Sequence, residues 1–305
     1  MIKKITKTEK DLLILDAGDI LFKRHVTPFI SQSLQKEAIL DAQLMVDAFS
    51  LMGCDAVGVG DDDLRLSAKV FSEVKKRAKF PFISSNVDFN DGHEISTQYV
   101  IKKAGGLRWG IFSLLNAHLP PNYTTQDWKV MDPLEKGKAV LEDLKKKADH
   151  IILLAHMPVR ELNLLLTQLQ GITIVIAGHS PSGLRRPMHV GQTLMVRNYG
   201  EGRYLGKLDI YLKDPKASFF NEENIMMLKR NLAMVKHKIE QGVSGPYEAQ
   251  KVSIEAQLKE SENGNVYRNQ LILLSSRYQD DQGVKGLMEK FSTLKKEREK
   301  GCPEQ

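Results

Sequence analysis

A chain of 305 residues, 42% hydrophobic and 27% charged, is long enough to bury one large core or two smaller ones. Its net charge of +6 is spread along the chain without a basic block, which argues against nucleic-acid binding, and no apolar stretch reaches the length of a membrane span. Cys54 and Cys302 alone make neither a disulfide framework nor a thiolate metal site.

Met1-Ile2-Lys3-Lys4 carries the charge of a signal segment, but no apolar run follows it, so a soluble chain without an export signal is expected. Leu12-Leu13-Ile14-Leu15 then reads as a short buried strand. It ends in Asp16-Ala17-Gly18-Asp19, a glycine turn with Asp19 just past it. A turn aspartate commonly caps the next element, and that is the plainest role for Asp19. Apolar spacing predicts a helix around Leu34 to Met52, closed by Gly53. Asp55 to Gly60 is a second strand, delivering Asp61-Asp62-Asp63 at its end. Three acids in a row usually form a solvated, helix-capping run; a cation is the other reason to crowd them, because like charges repel unless it offsets them.

Ser67 to Ala78 reads as a second helix and Phe80 to Val87 as a third strand. Tyr99 to Lys103 and Leu107 to Leu115 form a hairpin-like pair around Gly105-Gly106. Asn122 to Asp132 is loop-like, and Pro133 to Lys147 is a helix. Next come two short β-branched runs, each closed by a histidine. Ile151-Ile152-Leu153-Leu154-Ala155 meets His156, and Ile172 to Gly178 meets His179. Between them Val159, Leu162, Leu166 and Leu169 recur at helical spacing. Strand, helix, strand makes a parallel unit, so both histidines are expected at the carboxyl edge of one sheet, where open α/β sheets place ligands. One histidine at a strand end is more often structural than functional. Two at equivalent ends, one inside Gly-His-Ser, favour a ligand or metal role, since neutral imidazole is the commonest metal-binding side chain.

Thr193 to Val196 and Tyr204 to Leu212 read as two further strands. From Lys216 the pattern changes: Ile225, Leu228, Leu232, Val235 and Ile239 step by three and four, as do Val284, Leu287, Phe291 and Leu294. The expected division is therefore 1–215 and a helical extension 216–305. That extension is a hairpin broken at Gly242 to Pro246 and near Gly264, packed on the sheet domain or self-associating as a coiled coil.

Leu-Leu-Ile-Leu-Asp-Ala-Gly-Asp19, Gly53 to Asp61, Phe-Pro-Phe-Ile-Ser-Ser-Asn-Val, Ala-His156, Gly-His179-Ser and Thr193 to Leu212 together resemble the calcineurin-like metallophosphoesterases, in their 5′-nucleotidase and UDP-sugar hydrolase branch. The resemblance implies an α/β fold, a four-layer α/β/β/α sandwich, with two metal ions at the strand ends that bind phosphate and generate a nucleophilic water. It further implies that Asp19 matches the bridging aspartate, Asp61 an asparagine ligand, and His156 and His179 two histidines of the same metal. Three features of the other metal's chemistry depart from the family. No Asp-x-His precedes Asp19, Pro181 stands for the last histidine of Gly-His-Ser-His, and Asp62 stands for the catalytic histidine of Gly-Asn-His-Glu. A carboxylate does not donate a proton at neutral pH unless its pKa is strongly raised. The family's base-holding carboxyl-terminal domain is replaced by the helical tail.

The reading is thus a degenerate 5′-nucleotidase-like domain, a pseudoenzyme with weak or no catalysis and one divalent ion (manganese, iron or zinc) rather than two. The alternative is an active phosphoric-ester hydrolase acting on nucleotides, hence in nucleotide catabolism; a third is a fragment of a longer protein whose start carries Asp-x-His. Partners are a nucleotide or phosphoester if active, and a protein or second copy through the helices. Members of the family are often periplasmic or extracellular, while this chain shows no signal.

Overall fold

The computed structural model describes residues 1–91, 95–118, 127–200, 202–214 and 217–300, with side chains to 297. Of the expected features, part of the Asn122 to Asp132 loop, the start of the extension at Lys216, and Cys302 lie outside the described residues. A short helix α1 (Ile2–Thr8), not foreseen, leads into the first sheet. There β1 (Leu15–Asp16), β2 (Ala56–Gly58) and β3 (Phe82–Ile83) run parallel in that order. β4 (Val87–Phe89) pairs with β7 (Trp128–Val130). The second sheet has six strands: β5 (Tyr99–Ala104), β6 (Leu107–Leu115), β8 (His150–His156), β9 (Ile174–Ala177), β10 (Met188–Val190) and β11 (Thr193–Val196). Their spatial order is β10-β11-β9-β8-β6-β5.

Helices cover the two sheets from outside. α2 (Gln32–Met52) and α3 (Ala68–Lys75) lie over the first, α4 (Pro133–Leu144) and α5 (Val159–Gln168) over the second. Each of the first three begins where its sequence supplies a cap: Ser31 accepts from Leu34 N–H, Ser67 from Val70 N–H, and Asp132 from Glu135 N–H. Gly53 closes α2 in the left-handed region, φ 75°, as its position predicts.

The run from Ile151 to Ala155 has no polar face because both of its faces are covered. Leu153 and Ala155 pack outward with Leu141, Leu162 and Leu166, whereas Ile152 and Leu154 pack inward with Ala56, Ile83 and Ile111 of the facing layer. Full burial of one such leucine contributes about 1.5–3 kcal/mol. A third apolar layer, with Val46, Phe71, Val57 and Phe82, joins the first sheet to α2 and α3. Helix, sheet, sheet, helix is the four-layer sandwich, and the parallel β8–α5–β9 unit stands as read from the sequence.

The carboxyl-terminal third holds three helices: α6 (Glu222–Glu240), α7 (Tyr247–Glu262) and α8 (Gln282–Lys300). α6 and α7 form the hairpin broken at Gly242 to Pro246. Of the expected stripe only Val235 is fully buried; Ile225, Leu228, Leu232 and Ile239 are half-buried. α8 returns to α2, with Phe291 buried and Lys295 Nζ 3.2 Å from Glu37 and 2.6 Å from Asp41. Within this region lies a strand that helical spacing did not reveal. β14 (Asn265–Leu273) sits between β12 (Tyr204–Tyr211) and β13 (Phe219–Asn221), antiparallel to the first over eight paired residues from Tyr204↔Leu273 to Tyr211↔Val266. Val266, Tyr267 and Ile272 are strand-favouring types, and Tyr267 closes a small core with Leu194 and Phe219. Backbone pairing therefore crosses position 215.

Candidate metal centre

Three loops at the carboxyl ends of β1, β2 and β9, together with the end of β8, meet at one point. The first two approach closely because glycine lines them. A Cβ on Gly60 would lie 2.2 Å from Asp19 Oδ1, and one on Gly18, φ 106°, would lie 2.4 Å from Gly60 N. Asp63, buried at 1% exposure, staples them: Oδ2 accepts from the N–H groups of Asp19 (2.9 Å) and Gly60 (2.8 Å), and Oδ1 from that of Leu21 (2.9 Å). Burial raises its pKa, with the Asp19 charge adding to the rise and the three backbone donors opposing it. Burial likewise pushes Asp16 up to about 6, against the Gly18 N–H that favours its charge.

All four residues singled out in the sequence reach this corner. His156 is 1% exposed, and its Nδ1 lies 3.0 Å from the Ala17 carbonyl, where the ring N–H donates. That bond turns Nε2 toward Asp61 Oδ1 at 2.9 Å and Asp19 Oδ2 at 3.0 Å. His179 Nδ1 stands 3.2 Å from the same Asp61 oxygen, its ring edge-on to His156 with centroids 5.3 Å apart. Ligand atoms of Asp61, His156 and His179 all fall within 4.8 Å of one another; Asp19 joins through its contact with His156. Asp19 (φ 64°) and His179 (φ 68°) are the two non-glycine residues with left-handed backbone among the described residues. This conformation costs about 1 kcal/mol or more per residue and persists where the surroundings impose it.

The donor set fits a cation. With Nδ1 protonated toward Ala17, Nε2 presents a lone pair to two carboxylate oxygens. It is buried and makes no aligned hydrogen bond. Burial pulls the His156 pKa down, but Asp19 and Asp61 outweigh it and hold the ring well above its usual range. Either a proton or a metal ion relieves such a convergence of acceptors. The plain capping role weighed for Asp61-Asp62-Asp63 does not hold: Asp61 and Asp63 are 4% and 1% exposed.

Asp62 points elsewhere. Arg65, 3% exposed, donates from Nε to Asp62 Oδ1 at 2.8 Å, with Nη2 2.7 Å from the same oxygen. Asp62 N–H in turn donates to Asp19 Oδ1 at 2.8 Å. Pro181 is exposed, and its carbonyl accepts from Gly200 N–H at 3.2 Å. Sequence reading missed the Asp63 staple because the acidic run was weighed as a unit. It also missed Arg65, although its place three residues after Asp62 on a helical turn was a readable ion-pair signal.

No protein-family model matches the chain. It is 25% identical over 215 residues to an uncharacterized metallophosphoesterase, YunD, of Bacillus subtilis, covering 68% of this chain and 44% of that protein. It is 24% identical over 286 residues to a 5′-nucleotidase of Vibrio cholerae, covering 82% of this chain and 48% of that one. The chain thus spans a little under half the length of these relatives. Among solved structures, the sulfate thiohydrolase SoxB of Thermus thermophilus superposes with a TM-score of 0.68 at 15% identity, over 96% of this chain and 45% of that one. The calcineurin-like phosphoesterase YfkN of Bacillus subtilis superposes with a TM-score of 0.64 at 15% identity, over 97% and 87%. Sequence likeness and fold agree: the chain resembles the calcineurin-like metallophosphoesterases, in their 5′-nucleotidase branch, at low identity to its relatives.

Proposed function

We propose that Asp61, His156 and His179, with Asp19 beside them, hold one divalent ion, and that the domain around it is a 5′-nucleotidase-like metallophosphoesterase with weak or no hydrolysis. The observation that carries this reading is the convergence of His156 Nε2, Asp19 Oδ2, Asp61 Oδ1 and His179 Nδ1. Two imidazoles and carboxylate oxygens suit manganese, iron or zinc. When bound, the ion supplies Lewis-acid polarisation of a phosphoryl oxygen.

The chain's own groups do the rest. Ala17 fixes the His156 tautomer, Asp63 fixes the Asp19 and Gly60 loops, and Gly60 leaves the space that the Asp19 carboxylate occupies. The two positions that depart from the family, Asp62 and Pro181, supply no proton to a leaving group. Asp62 is a carboxylate paired with Arg65, and Pro181 has no ionisable group. Loss of a general acid alone costs on the order of 10²–10⁴ in rate.

The second reading, an active hydrolase of nucleotides or related phosphoesters, is favoured by the intact His156–Asp61–His179 cluster. A turnover assay separates the two. With added manganese, hydrolysis of nucleoside monophosphates and of bis(p-nitrophenyl) phosphate is expected to be very weak or absent. Robust turnover that His156→Ala abolishes establishes the hydrolase instead.

A further inference from the structure

A second charged feature lies one strand from the metal cluster. Val196 of β11 pairs with Ile176 of β9, so Arg197 follows β11 level with Ala177, two residues ahead of His179. The loop after His179 crosses it: Leu184 N–H donates to the Arg197 carbonyl at 2.9 Å, and Gly200 N–H to the Pro181 carbonyl at 3.2 Å. This crossing, with Met188 opposite Met195 in the antiparallel pair that follows, sets the backbone of Arg185 and Arg186 beside that of Arg197.

Arg197 is 9% exposed, and its Nε is buried without a hydrogen-bond partner. Among the described residues no carboxylate pairs with Arg197, Arg185 or Arg186. Between Ser180 and Tyr204 the sequence carries four arginines and a single acid, Glu201. A buried guanidinium without a counter-charge is costly and is seldom kept unless something outside the fold supplies the anion. Arginine stays charged even where burial lowers its pKa, as it does here. Its planar fork matches two oxygens of a phosphate, a geometry lysine does not offer.

We propose that Arg197, flanked by Arg185 and Arg186, forms an anion site at the carboxyl edge of the six-stranded sheet that takes a phosphate group. The site is distinct from the cluster of Asp61, His156 and His179 and needs no metal, so it stands or falls separately from the function proposed above.

The test is thermal unfolding of the full chain in a chelator at constant ionic strength, titrated with inorganic phosphate against chloride. Phosphate at about ten times its dissociation constant is expected to raise Tm by about 2–3 °C. Arg197→Met is expected to keep or raise the phosphate-free Tm, because it removes an unpaired buried cation, while weakening phosphate at least tenfold. Glycerol phosphate in a parallel titration identifies the source. Tighter binding than inorganic phosphate assigns the site to a phosphoester group, and weaker binding assigns it to the free ion. A wild-type chain that responds to phosphate no more than to chloride overturns the proposal, as does an Arg197→Met variant with undiminished response. Should Arg197→Met fail to fold, Arg197→Lys decides: a several-fold loss of phosphate affinity is expected, and unchanged affinity overturns the site.

Discussion

Two corners of one sheet edge, a few residues apart in sequence, solve the problem of buried charge in opposite ways. At Asp62 a buried guanidinium stands against the carboxylate, so the charge is balanced from within the fold. At Asp61, His156 and His179, with Asp19 beside them, carboxylate oxygens and imidazole nitrogens converge, and the balance turns on a proton or an ion placed between them. The first arrangement is complete as it stands. The second is complete only with a proton or an ion added. Adjacent residues of one acidic run, Asp61 and Asp62, thus fall on either side of the line between a binding site and a structural ion pair.

The contrast is broken most severely at Arg65. Arg65→Met strips Asp62 of its buried partner and is expected to cost about 3–5 kcal/mol in urea unfolding. A loss under about 1 kcal/mol means that the pair is not structural. On the other side, His156→Ala removes the central acceptor and is expected to weaken manganese by about 10²-fold in calorimetry, without a comparable loss of stability in chelator. Gly60→Ala tests the seam between the corners. Its methyl group meets Asp19 Oδ1 and the Asp19 amide, so about 1–3 kcal/mol of stability is expected to go, together with metal affinity. Unaltered affinity shows that Asp19 is not needed. The smallest expected effect is the double change Asp62→His and Pro181→His, which installs the family's residue types; less than a tenfold gain in phosphoester hydrolysis is expected. A rise to robust turnover shows that these two positions alone hold the activity down.

The β8–α5–β9 unit was legible because its apolar runs had no polar face and each ended in a histidine, and periodicity of that kind depends only on local sequence. The corner itself was legible through the resemblance, at Asp19, Asp61, His156 and His179. What holds the corner together was not. Asp63 works through three backbone N–H groups contributed by two loops, and His156 is oriented by the carbonyl of Ala17, 139 residues away in sequence. No side-chain pattern announces a backbone partner. β14 was hidden for a related reason: its partners β12 and β13 lie across two helices, and its half-exposed strand lacks the continuous apolar run that marked β8. That pairing gives the expected division at 215 a direct test. A chain ending at Asp214 loses the central strand of its three-stranded sheet and is expected to unfold without cooperativity. A stable, cooperative 1–214 chain supports two independent units.

The central claim is that one cation completes the Asp61–His156–His179 corner. Calorimetric titration of manganese into the full chain, beside His156→Ala, tests it most directly. A single ion bound per chain is expected for the wild type, with binding weakened about 10²-fold in the variant. Two ions bound with similar affinity, or binding undiminished by His156→Ala, would contradict it.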